Sequence, residues 1–209
     1  MELLIGLTIL IFSAILHEVA HGFVADRFGD PTARLAGRLT LDPRPHIDPV
    51  LTIFLPLMLI LSGSPIIFGG AKPVPIDPFN LKEGRKDVAL VALVGPLTNV
   101  LLAIAGALLF RFLDALPIIF PELVGLILVL IVKYNLLLAI FNLLPIPPLD
   151  GSKVFAMLLP EKHANTYLSL QQVGIFILLF LLFFPVGGFS LMEFVSNLLN
   201  FSFSLLLPL

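Results

Sequence analysis

Residues 88–110 run without a single charged side chain, and about 20 apolar residues in helical form are enough to cross the hydrocarbon core of a bilayer. A segment of that kind limits what the chain can become. At membrane depth every backbone N–H and C=O must be satisfied within the protein, which leaves helices as the spanning element. Further apolar runs lie at 3–25, 117–132, 135–144 after Lys133-Tyr134, 168–184 and 189–209. The chain of 209 residues is 58% hydrophobic and 12% charged, whereas a soluble domain carries about 45–50% apolar and about 25% charged residues. That is too little charge to coat a water-facing surface. The pattern predicts an all-α polytopic membrane protein with about five to six membrane segments, embedded in a lipid bilayer and folded as one domain over 1–209.

The absence of cysteine excludes disulfides and thiolate metal sites. A net charge of −2 without a basic stripe interleaved with aromatics excludes nucleic acid as the partner. The first 25 residues are read as a retained span and not a leader. Glu2 stands where a basic start would be, and His17, Glu18 and His21 interrupt the apolar run.

Ten of the twelve basic residues fall in 27–44, in 72–86 or at Lys153 and Lys162. Basic residues favour the cytoplasmic side, so these regions are expected on one common face, with Arg111 and Lys133 marking the other. Residues 50–68 must then enter and leave by the same face as a re-entrant hairpin, with Pro56 and Gly63-Ser64-Pro65 breaking its backbone. Residues 189–209 form either a last span or an interfacial helix. Two polar stretches suggest short membrane-associated β elements. Residues 36–41 (AGRLTL) alternate weakly, and 71–76 (AKPVPI) is held extended by its prolines.

The sharpest local feature is His17-Glu18-Val19-Ala20-His21, an H-E-x-x-H. Positions i and i+4 share a helix face, so both imidazoles can reach one metal ion, and the adjacent Glu18 can act on water there as a general base. Ionisable groups inside an apolar span are costly and mark function. A catalytic zinc site needs a third protein ligand, and Asp150, His46, Asp48 and His163 are the candidates. Asp150 is favoured because Leu144-Pro145-Ile146-Pro147-Pro148 unwinds a span just before it and Gly151 permits a tight turn just after it. A carboxylate there could also simply cap the helix that begins at Ser152. His46 and Asp48 suit a turn or an interface better. Asn99 and Thr98 read as packing groups, and Lys133 beside Tyr134 as an interfacial anchor.

Taken together, His17-Glu18-x-x-His21, Gly95-Pro96-Leu97-Thr98-Asn99 and Asn142-Leu143-Leu144-Pro145-Ile146-Pro147-Pro148-Leu149-Asp150-Gly151 resemble the site-2 protease family of intramembrane zinc metalloproteases, in particular its short members without PDZ or CBS domains. The resemblance covers roughly 3–159. It implies a three-helix catalytic core within about 3–160, followed by C-terminal helices over 165–209. It further implies one Zn²⁺ held by His17, His21 and Asp150, with Glu18 as the catalytic base. Asn142 would contact the substrate or the developing oxyanion, and Gly95 and Asn99 would pack near the site. The implied reaction is hydrolysis of peptide bonds within or near a transmembrane segment of another membrane protein, in the cell membrane with the site toward the cytoplasm. The competing reading is a metal transporter or channel that uses the same His/Asp set without proteolysis.

Overall fold

A computed structural model describes residues 1–54, 57, 58, 61, 71–116 and 121–207. Helix α1 spans Glu2–Phe28 and stops where Gly29 turns left-handed at φ 112°. Gly29 N–H donates to Asp26 O and Asp30 N–H to Ala25 O at 2.9 Å. This paired closure is the Schellman arrangement, which a glycine at that position allows at no steric cost. A single turn, α2 (Thr32–Leu35), follows. Helix α3 (Arg85–Asp114) holds the uncharged stretch, and α4 covers Glu122–Asn142. Short helices α5 (Asp150–Leu158) and α6 (Glu161–Ser169) lead to α7 (Gln171–Phe183) and α8 (Leu191–Leu206).

Helices α1, α3 and α4 are each long and apolar enough to cross a membrane, and the chain is an integral membrane protein, mostly helical. Lipid tails are as apolar as leucine, so packing between spans relies on small residues that let backbones approach. The buried Ala103 and Ala107 of α3 meet Val132 and Leu136 of α4, with Leu207 closing the cluster. Where α1 meets α4, the Tyr134 ring lies directly over Gly6, and its hydroxyl would be 2.7 Å from any Cβ there. Contacts of Ser13 with Asn99 and of His21 with Val91 show that α1 and α3 are antiparallel.

Helices α6 and α7 are long and apolar enough for a span only as a pair, bent by 68°, which makes three spans or at most four among the described residues against the five to six expected. Helix α8 has 16 residues, about 24 Å of helix. The proposed hairpin at 50–68 lies largely outside the described residues, apart from a π-helical turn at Pro49–Phe54.

Two local expectations are corrected. Lys133, read as an interfacial anchor, does not stand at a helix end. It sits midway along the continuous α4 and is exposed, because neither Lys nor Tyr disfavours a helix enough to interrupt it. Nor do 36–41 and 71–76 form strands; no strand occurs among the described residues. The Ala36, Gly37 and Arg38 amides close the turn after α2 on Thr32, Arg34 and Ala33 carbonyls, which removes the first half of the segment from any ladder. Residues 71–77 are extended but solitary. Pro73 and Pro75 have no N–H, Lys72 N–H donates to His46 O at 2.8 Å, and Val74 N–H goes to a carboxylate of α1.

Buried Asp30 stitches these loops together. Its carboxylate accepts from the Thr32 amide and hydroxyl, from Asp77 N–H at 2.7 Å and from Asn80 Nδ2 at 3.0 Å. Arg38 adds Nη2–H to Lys72 O at 2.6 Å. On the far side, Tyr167 donates to Pro145 O at 2.7 Å, and Gly174 of α7 lies against the Pro147 carbonyl. The proline-rich loop before Asp150 is therefore clamped from the C-terminal helices.

Candidate metal centre

The period of α1 places His17 and His21 one turn apart, and the start of α5 delivers Asp150 to the same point. Asp150 Oδ2 lies 3.1 Å from His17 Nε2 and 3.0 Å from His21 Nε2, and the two Nε2 atoms are 3.0 Å apart. All three residues are buried. Among the described residues this is the one group of three or more His, Asp or Glu side chains able to share an ion.

The proton positions decide what the group can hold. His21 Nδ1 is 2.7 Å from Val91 O, a carbonyl that only accepts, so the ring proton of neutral His21 is on Nδ1. His17 Nδ1 donates likewise to Asn99 Oδ1 at 2.6 Å. Both Nε2 atoms therefore present lone pairs to the Asp150 carboxylate. Three acceptors with no donor among them repel one another, and a cation between them relieves that repulsion. Ligand atoms around tetrahedral zinc at about 2.1 Å would sit roughly 3.4 Å apart, close to the spacing seen. The donor set of two imidazoles and one carboxylate also matches catalytic zinc sites. The residues fit the ion.

Helix α3 explains how both rings are aimed. Val91, Gly95 and Asn99 recur every four residues and so form one stripe. It runs antiparallel to His17 and His21, which carry the same spacing. Val91 and Asn99 take the two Nδ1–H groups, and between them Gly95 comes so near that a Cβ would sit 2.6 Å from His17 Nε2 and closer still to His21 Nε2. Asn99, read from sequence as packing, thus bonds a candidate ligand directly. Asp150 is held from its own helix, where Lys153 Nζ donates to Oδ1 at 3.0 Å. Lys153 was missed, although i,i+3 pairing on a helix is a legible signal. Gly151 allows this helix to start against the preceding loop, since a Cβ there would collide with the Leu143 carbonyl.

Glu18 Oε2 accepts Val74 N–H at 2.8 Å, so the extended segment 71–77 touches the side chain next to His17. Glu18, His17, His21 and Asp150 face a cavity of about 580 Å³ that also reaches Asn142 and Lys153. Asn142 ends α4 and donates Nδ2–H to Leu138 O at 3.0 Å. The other third-ligand candidates do not join the group, although His46 lines the same cavity. His46 is buried and bonds Thr40 O through Nε2 at 2.9 Å. Asp48 lies in the loop before the π-helical turn, its N–H on Thr52 Oγ1. His163 is exposed on α6.

Comparison with known proteins gives the family. The family model described as Peptidase family M50 matches residues 117–185. The chain is 36% identical over 186 residues to "Putative zinc metalloprotease YwhC" of Bacillus subtilis, covering 87% of this chain and 81% of that protein. It is 34% identical over 173 residues to "Putative zinc metalloprotease Rip2" of Mycobacterium tuberculosis, covering 81% of this chain and 62% of that protein. A third relative, "Putative zinc metalloprotease MJ0611" of Methanocaldococcus jannaschii, is 34% identical over 141 residues, covering 67% of this chain and 63% of its own length. No solved structure gives a significant match. On its sequence and on these relatives, the chain belongs to peptidase family M50, the site-2 protease family of zinc metalloproteases.

Proposed function

We propose that the chain is an intramembrane zinc metallopeptidase that cuts membrane proteins within or near a transmembrane segment. One Zn²⁺ per chain is held by His17, His21 and Asp150. The observation that carries the reading is the meeting of three lone-pair atoms with Glu18 on one cavity. Bound zinc supplies acidification of water and polarisation of a carbonyl.

Every other part is supplied by the chain. Glu18 Oε2 is anchored on Val74 N–H, which leaves Oε1 to take the proton of the attacking water and return it to the leaving amine. Asn142 Nδ2 keeps one hydrogen beyond that given to Leu138 O and can donate it to the carbonyl oxygen as charge develops. Apolar cavity walls, among them Leu7, Leu10, Ile11 and Phe141, suit an apolar segment. The extended residues 71–76 border the same space through Pro73, Val74 and Ile76. A helical substrate hides its amides in hydrogen bonds and must unwind to be cut, and this border is where it would lie extended.

The basic group Arg38 bonds Lys72 O beside the site, while Arg34 pairs with Asp26 near the end of α1 and Arg85 bonds Leu159 O just after α5. By their preference for the inner face, the site opens toward the cytoplasm of the cell membrane. The chain acts as one protease unit over 1–209. The test is purified protein in lipid with a single-span membrane substrate, with and without chelator, beside Glu18→Gln. Zinc-dependent cleavage that disappears in the variant supports the reading. Zinc flux without cleavage would favour a transporter instead.

A further inference from the structure

Behind His17 a chain of buried amides crosses three helices. Asn99 Nδ2 donates to Asn135 Oδ1 at 2.8 Å, and Asn135 Nδ2 donates to Ser13 Oγ and to Ile131 O, both at 2.9 Å. Asn99, Asn135 and Ser13 are all at most 5% exposed. Carboxamide N and O are told apart by their partners, and here two backbone carbonyls decide. Ile131 O only accepts, so Asn135 must face it with Nδ2 and face Asn99 with Oδ1. Asn99 must then present Nδ2 to Asn135, where it also lies 3.5 Å from Ser13 O, and Oδ1 to His17. An acceptor opposite His17 Nδ1 puts the proton there and the lone pair on Nε2.

His21 needs no such chain, since a helix carbonyl orients it directly. His17 depends on a side chain that could flip if nothing pinned it. From this we infer that Asn135, on a helix that contributes no ligand, is a positioning residue that fixes the His17 tautomer through Asn99. The inference deepens the zinc-site reading and rests on it only for its consequence on metal affinity. Partners that orient metal-binding histidines are worth about 10–100-fold in affinity. Interhelical glue alone would alter stability and leave the tautomer untouched.

The test uses the full chain in detergent micelles, labelled with ¹⁵N-histidine and stripped with chelator, at a pH where imidazoles are neutral. Imidazole ¹⁵N shifts, assigned with single-site variants, report which nitrogen carries the proton. Wild type is expected to show Nδ1–H on both His17 and His21. In Asn135→Leu, His17 becomes a mixture of tautomers while His21 is unchanged, and Zn²⁺ affinity falls about 10–100-fold. Asn135→Asp, protonated in this apolar setting, donates O–H to Ile131 O, still accepts from Asn99, and is expected to restore both readings. A folded Asn135→Leu with an unaltered His17 tautomer overturns the inference. So does Nε2–H on His17 in wild type, a reading that requires no variant to fold. Should wild type bind no Zn²⁺ yet show the expected tautomers, the protease reading fails and the role of Asn135 stands.

Discussion

Gly95 of α3 faces His21 of α1 so closely that a single added methyl group would overlap the imidazole Nε2. The glycine is required by the approach of two helices and not by its own backbone, which is ordinary helix. Gly95→Ala is expected to leave the bundle folded, at a cost of about 1–3 kcal/mol for overpacking. It should push one ring out of register and remove most bound zinc. Metal content by mass spectrometry of the purified variant beside wild type checks this.

Gly151 poses a harder problem for any larger residue. Its Cβ would meet the Leu143 carbonyl and stand 2.5 Å from Leu144 O, and backbone cannot swing aside as a side chain can. Gly151→Ala is expected to displace the start of α5 and Asp150 with it. Thermal unfolding in detergent should drop measurably, by the equivalent of about 1–3 kcal/mol, and zinc should be lost together with stability.

Lys153 holds Asp150 Oδ1 and thereby leaves Oδ2 for the imidazoles. Lys153→Met keeps the stem and removes the charge. Zinc affinity by competition with a fluorescent chelator should weaken about tenfold, much less than on Asp150→Ala. An unchanged affinity would mean that the ion pair does not orient the carboxylate.

Glu18→Gln retains an acceptor for Val74 N–H and loses the base. Zinc content should match wild type, while cleavage falls by about 10²–10⁴-fold. A variant that still cuts at the wild-type rate would remove Glu18 from the chemistry.

Asp30 controls the loops and not the metal. Burial pushes its carboxyl upward, but hydrogen bonds from Thr32, Asn80 and Asp77 outweigh this and hold it below the ordinary value of 3.8. A carboxyl that is more acidic when folded adds stability above its unfolded pKa, and that contribution disappears as pH falls through the folded value. Wild-type stability is therefore expected to decline below about pH 4. Asp30→Ala should lose about 2–3 kcal/mol at neutral pH and show a flatter dependence in that window. Unfolding midpoints at pH 7 and pH 3.5 would decide it.

Local periodicity and covalent geometry made much of this legible. The H-E-x-x-H on one helix face, the apolar spans and the unwound proline stretch before Asp150 each depend on residues within a few turns of one another. The weak alternation at 36–41 misled for the same reason. Alternation describes side chains, whereas a strand needs free amides, and those of Ala36, Gly37 and Arg38 were already taken by the turn behind α2. Lys133 beside Tyr134 has the look of an interfacial anchor, yet the helix continues about ten residues to either side of it.

By itself, the order of residues determined a membrane-embedded helical protein with two imidazoles and a glutamate on one face, and it singled out Asp150 from the possible third ligands. Only the tertiary structure decided which atoms carry the ring protons, because these depend on the Val91 carbonyl, on Asn99 and on Asn135, all more than sixty residues from the histidines in sequence. It likewise decided that Val74 anchors Glu18 and that Gly95 leaves room for the rings. Hydrogen-bond direction and close approach arise between helices, and no pattern along one helix contains them.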